Sequence, residues 1–302
     1  MTNHDLFGNP VSEKKVCVRI YADEIQPIPD PITNEKWFYI GLLIEDTSKQ
    51  SLKNLLDERF RNNYDKSSPF YDKNNKKLHW KEFKSLDEKN ICSRWFEYYL
   101  NKQTDELYFY FLGVNDDKLW EGNFGTDDQF NNKYNRFFRA AVLYGLKVFF
   151  FSKYEKIIVK NVYHETGQQQ DHYYFPWHSI FRIEQNEKRI VFENKNITFL
   201  GKDHKENELA NFIQLTDCLL GSHKDIVHGM NGKSKQFKNY KETNIDKILT
   251  TISKNKKPSR SLIRFFPRQK LEKDELNFAN QFYESRRFNY LMDKTRQEEL
   301  QL

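Results

Sequence analysis

An α/β fold built on a sheet of mixed strand direction is predicted by three features of the sequence. Dense β-branched and aromatic runs open the chain: "KVCVRIYA" at 15–22, "WFYIGLLIED" at 37–46 and "ELYFYFLGV" at 106–114. From about residue 130 onward helical and strand patterns alternate, the signature of helices laid across a sheet. The late segment "NFIQLTDCLLGSH", 211–223, is apolar almost all round, as expected of a helix buried on its neighbours.

The elements follow in order. Residues 15–22 alternate tightly and read as a strand, with Asp23 at or near its end. "PIPDPITNEK", Pro27 to Lys36, supplies Pro and Asn breakers, so 37–46 folds back on the first strand as a hairpin. Leu52, Leu55, Leu56 and Phe60 recur at three- and four-residue spacing and predict a helix within 47–64. "LHWKEF" (78–83) introduces another helix over about 87–102, so that 47–102 reads as a helical insertion between strands. Residues 106–114 form the third strand. A long helix follows over about 130–154; its core "FFRAAVLYGLKVFFFSKY" is broken by Arg139 and Lys147 and falls short of a bilayer span. "KIIVKNVYHE" is a fourth strand ending in Glu165, a helix starts near Pro176, "NITFL" (196–200) is a short fifth strand, and 207–228 is a final helix. Three strands joined antiparallel and two added through helical crossovers give mixed direction, and several α/β arrangements share this order.

Beyond Gly229 the composition shifts, which divides the chain into a domain at 13–230 and a basic, partly helical C-terminal extension at 231–302. Within the extension "KNKKPSRSLIRFFPRQK" interleaves Arg260, Arg264 and Arg268 with Phe265 and Phe266, a mixture able to grip phosphates and stack on bases. The formal net charge of +6 over 302 residues biases the chain towards anionic partners such as RNA or DNA. The opening "MTNHDLFGNPVSEKK" lacks the basic and apolar regions of a secretory signal. Cys17, Cys92 and Cys218 have neither disulfide-scaffold nor zinc-site spacing. A cytoplasmic protein without membrane association is expected.

The chemistry centres on the late helix. Gln214, Asp217, Gly221 and Lys224 follow an i, i+3, i+7, i+10 ladder. An ionised Asp217 hemmed by Leu215, Cys218 and Leu219 would lose hydration worth several kcal/mol unless a cation or a set of donors replaced the water. It either pairs with Lys224 or an arginine, or shares a cation with a second acid. Asp23 is the candidate second acid, because carboxylates that converge at strand ends serve metal-dependent phosphoryl chemistry. Gly221 leaves room for a ligand or another backbone. The position of Cys17 and Cys218 inside apolar segments, the lack of G-x-S-x-G and the lack of a Gly-rich phosphate loop argue against nucleophilic and P-loop chemistry.

"YADE" after the first strand, "WFYIGLLIED", "LHWKEF" and "FIQLTDCLLG" together resemble the bacterial family called domain of unknown function thirty-eight hundred, of the RNase H-like group. The resemblance covers about 13–230. The family's Asp-Glu pair and its Q-x-x-D match Asp23, Glu24, Gln214 and Asp217. The resemblance implies an RNase H-like mixed sheet with flanking helices, and a nuclease-like site in which acids hold Mg²⁺ or Mn²⁺. Asp23 and Asp217 would be ligands, with Glu24 joining them only if the strand has ended, since it otherwise points to the other face. Glu82, Glu165 and His79 complete the expected catalytic set, with Gln214 in support; Lys77 stands where the family often has an acid. His79 or His223 would shuttle a proton to the leaving group. Lys224, Arg260, Arg264 and Arg268 would contact nucleic acid. A metal-dependent nuclease, in bacterial defence or as a toxin, is the expected function. A catalytically degenerate nucleic-acid-binding or protein-interaction subunit, including a homo-oligomer, is the rival.

Overall fold

The computed structural model describes residues 14–30, 33–62, 65–69, 71, 76–83, 85–100, 106–119, 124, 129–172, 174–203, 205, 207–228 and 261–266. Seven strands form one mixed sheet: β1 (Lys15–Pro29), β2 (Lys36–Asp46), β3 (Leu107–Asn115), β4 (Lys156–Glu165), β5 (Ile190–Phe192), β6 (Thr198–Leu200) and β7 (Ser261–Phe266). Five α-helices are described: α1 (Ser51–Phe60), α2 (Leu86–Leu100), α3 (Gln129–Phe150), α4 (Phe175–Asn186) and α5 (Ala210–His228). The sheet order is β5-β4-β1-β2-β3-β7, with β6 also on β4. β1, β2 and β3 form an antiparallel meander. β4 joins β1 in parallel, and β5, β6 and β7 add parallel edges.

Period-two patterning sorts the residues of β1 between two cores. Val18, Ile20 and Ala22 face the layer of α3 and α4, where Tyr134, Phe138, Val142, Leu146 and Phe150 supply the apolar face of α3. Tyr21 and Ile25 face the opposite layer, made by α5 together with α1, α2 and a short 3-10 turn at Trp80–Glu82. The 47–102 segment is therefore a cover over one face of the sheet. β2 is buried along its length because it is central and covered on both sides. Opposite Asp23 it carries Gly41, where a Cβ would stand 3.1 Å from Leu220 Cβ, so glycine lets α5 approach the sheet at this level.

Three local expectations change. β1 does not end near Asp23 but continues to Pro29 on β2, with an irregularity between Ile25 and Ile28. Its pairing with β4 stops at Ala22–His164, so beyond that point one side of β1 is an edge, where Pro27 and Pro29 are tolerated. The short strand β5 was not anticipated. The segment Ser261–Phe266 is a strand parallel to β3, with Phe265 buried against Trp37 and Phe111 and Phe266 packed on Phe137. These two rings fill cores, which removes them from base stacking. Among the described residues no helix is long and apolar enough to cross a membrane.

Candidate functional site

Four segments distant in sequence meet at the carboxyl end of the parallel strands. Asp23 lies on β1 level with the end of β4, Glu165 is the last residue of β4, Lys202 follows β6 by two residues, and Asp217 lies in the second turn of α5. The Lys202 ammonium stands 2.8 Å from Glu165 Oε2, 3.1 Å from Asp217 Oδ1 and 3.5 Å from Asp23 Oδ2. Its side chain is 2 % exposed, whereas that of Glu165 is 23 % exposed, so the cluster has a buried floor and a wetter rim. With all acids ionised the three carboxylates and one ammonium sum to −2.

The electrostatics follow from burial. Asp23 is raised to about 7, chiefly by desolvation and only partly relieved by Lys202, while the nearby Glu165 pushes the same way. Desolvation works against the charge on Lys202, but Asp23, Asp217 and Glu165 outweigh it and raise its pKa. The lysine is thus a fixed cation, and Asp23 takes a proton far more readily than an ordinary aspartate.

The Q-x-x-D motif brackets this lysine. Gln214, fully buried, donates through Nε2 to the Lys202 carbonyl at 2.7 Å, and Asp217 holds the ammonium one turn later. The same two side chains grip the 78–80 segment: Leu78 N–H donates to Gln214 Oε1 at 3.0 Å, and Trp80 N–H donates to Asp217 Oδ2 at 2.7 Å. Arg59 of α1 donates to Asn211 Oδ1, to Gln214 Oε1 and to the Lys76 carbonyl. Trp80 lies over Gly221, where a Cβ would be 2.2 Å from its Cδ1, and donates through Nε1 to Asp225. The space that Gly221 opens is filled by an indole.

The expected site residues separate accordingly. Asp23, Glu165 and Asp217 come together, and His79 stands beside them, its Nδ1 3.7 Å from Asp217 Oδ2. Glu82 is exposed on the 3-10 turn, with no hydrogen bond or ion pair tying its side chain to the three acids. Glu24 lies on the other face, because β1 continues through it. It abuts His164 (3.4 Å), whose Nε2 accepts from the Tyr134 hydroxyl at 2.6 Å, since Nδ1 donates to the Glu165 carbonyl. Burial first, then Asp23 and Glu165, push Glu24 to about 8, and burial lowers His164.

His223 is buried, stacked on Phe111, and bonded through Nδ1 to the Leu219 carbonyl; desolvation depresses it to about 4. It is a neutral core residue rather than a proton shuttle. Lys224 pairs with its neighbour Asp225. Arg264 is half-buried in β7, donating to the Ile263 carbonyl. Arg260 and Arg268 lie outside the described residues. Sequence reasoning missed Lys202, Arg59 and Trp80. A lysine just past a short strand was the available signal for the first.

The donor set is right for a hard cation, since carboxylate oxygens suit Mg²⁺ and Mn²⁺. The spacing suits an ammonium: Mg²⁺ needs oxygens at about 2.0–2.1 Å, and here Lys202 occupies the point of convergence. Among the described residues no group of three or more His, Cys, Asp or Glu is arranged to hold a metal ion. Comparison with protein-family models finds no family that matches the chain, and comparison with curated proteins finds no match. Chemically, the arrangement is a cation-binding acid cluster that carries its own cation.

Proposed function

We propose that the chain is an RNase H-like phosphodiester hydrolase of the kind its motifs resemble, acting on RNA or DNA, with Asp23, Glu165 and Asp217 as the acids that receive a divalent ion once Lys202 turns aside. The observation that supports this most is the convergence of three carboxylates, from β1, β4 and α5, on one buried cation. A divalent ion there would supply Lewis-acid polarisation and a more acidic water. Lys202, freed from the acids, would pair with a substrate phosphate, a task suited to a point charge on a flexible stem. His79, beside Asp217 and partly exposed, is placed to hand a proton to a leaving oxygen. Gln214 donates to the Lys202 carbonyl, a bond that would hold the backbone in place as the side chain turned aside.

Incubation of the protein and of Asp217→Asn with labelled RNA and DNA under Mg²⁺ and Mn²⁺ tests the reaction. Mn²⁺ binding followed by calorimetry tests the site independently of turnover. Cleavage that Asp217→Asn abolishes, together with Mn²⁺ binding that it weakens, is the expected result; equal cleavage by both proteins refutes the assignment. The spacing around Lys202 favours one second reading, a degenerate binding subunit in which the lysine permanently replaces the metal. Intact folding with neither Mn²⁺ binding nor cleavage would select it.

A further inference from the structure

On the face of the sheet opposite the acid cluster, α3 and α4 enclose a pocket of about 270 Å³. α3 contributes Arg136, Arg139 and Tyr144, which recur at three- to five-residue intervals along the helix. α4 contributes Arg182, and Phe137 and Phe266 form apolar wall. Among the described residues no carboxylate pairs with any of the three arginines. Arg136 lies over the Phe124 ring, and Arg182 donates to His178 Nε2 and Gln185 Oε1. The acids in and just after α4 are engaged elsewhere, Glu184 with Lys195 and the Phe192 N–H, and Glu187 with Lys147. Burial, then Arg182 and Arg136, lower the pKa of Arg139, and burial, Arg139 and Arg182 lower that of His178. Three arginines thus line one concavity, one of them half-buried, with no carboxylate partner among the described residues.

We propose that this pocket binds a small phosphate-bearing ligand, its phosphate held by Arg136, Arg139 and Arg182 and its flat organic part resting on Tyr144 and Phe266. Guanidinium forks match phosphate oxygens bidentately. The volume lies near the lower end of small-ligand sites, roughly 300–1,000 Å³, which suits a mononucleotide-sized phosphomonoester and not a duplex. The location across the sheet separates it from the acid cluster, so the proposal stands whether or not that cluster is catalytic.

The test uses the full chain with adenosine, AMP, inorganic phosphate and a short 5′-phosphorylated oligonucleotide, read by calorimetry and thermal shift. AMP should bind at least about tenfold more tightly than adenosine, a difference of about 1.4 kcal/mol, and its affinity should fall by a similar factor in Arg139→Met. Because that substitution removes a half-buried cation crowded by Arg182 and Arg136, the ligand-free variant should be no less stable than the parent. Should it fold poorly, Arg182→Gln, at an exposed position, serves the same purpose. Preferential binding of the oligonucleotide end would identify a nucleic-acid terminus as the source of the phosphate. Equal binding of AMP and adenosine, equal AMP affinity in parent and variants, or no response to any phosphate compound at about 10 mM would overturn the proposal.

Discussion

Replacing Lys202 by Met removes the one cation from a group of three carboxylates. Asp23 and Asp217 have side chains only 5 % and 13 % exposed, so water cannot take the place of the ammonium. Breaking a buried ion pair by deleting one partner costs about 3–5 kcal/mol. At about 2.1 cal/mol/K of unfolding entropy per residue, a 302-residue chain should lose about 5–8 °C of Tm at pH 8. The loss should shrink at pH 5, where Asp23, already held up to about 7, takes a proton and relieves the repulsion. If the acids accept a divalent ion, millimolar Mn²⁺ should restore much of the variant's Tm and shift the parent less, because the parent lysine competes; a ligand at 100 times its Kd adds about 2.7 kcal/mol. Differential scanning fluorimetry of both proteins at the two pH values, with and without Mn²⁺, gives all these quantities. A variant as stable as the parent at pH 8, or equally destabilised at both pH values, would refute the electrostatic account.

Three other outcomes are expected. Stability of the parent should fall as pH rises from about 6.5 to 8: Asp23 and Glu24 keep their protons to about 7 and 8 in the fold, against 3.8 and 4.5 ordinarily, while buried His164 and His223, held below the ordinary 6.5, are neutral there in folded and unfolded chain alike, so the folded chain holds more protons in that window. Chemical denaturation at about pH 6.5 and about pH 8 checks the sign, and a midpoint that rises between them contradicts it. Gly221→Ala places a methyl on Trp80 and should cost about 1–3 kcal/mol or more by overpacking, with a change in tryptophan emission as the indole leaves Asp225; unchanged emission and stability would exclude that contact. Arg59→Met takes a donor from Asn211 Oδ1, the Lys76 carbonyl and Gln214 Oε1, the last of which keeps the Leu78 N–H as a donor, and should cost about 2–4 kcal/mol, with faster hydrogen exchange at Leu78 and Trp80 as the specific sign; unaltered exchange there would argue against the clamp.

Much of the scaffold could be read from residue patterns because its signals are local. The alternation in β1, the spacing of Leu52, Leu55, Leu56 and Phe60, and Pro176 at the start of α4 each report on their own neighbourhood. The end of β1 was misplaced because Asp23 and Pro27 look like punctuation until one knows that β4 stops pairing at Ala22. The Ser261–Phe266 segment looked like part of a phosphate-gripping basic extension for a similar reason, since Arg260, Arg264 and Arg268 conceal a strand whose partner, β3, lies far earlier in the chain. Asp23, Glu165 and Asp217 were recognisable as acids at suspicious places. Lys202 was not, because its meaning comes entirely from neighbours brought together by the sheet. The sequence likewise marked Arg139 only as an interruption of an apolar run; its companion Arg182 lies on another helix.

The ionic knot around Lys202 has a consequence for synthesis of the chain. Its strands of attachment enter at residues 23, 165, 202 and 217, and the 47–102 cover is buttoned to the same helix through Arg59 and Trp80. A nascent polypeptide therefore possesses neither the pocketed charge nor its cover until α5, Ala210–His228, has been translated, and no fragment lacking α5 should display the chemistry of the whole.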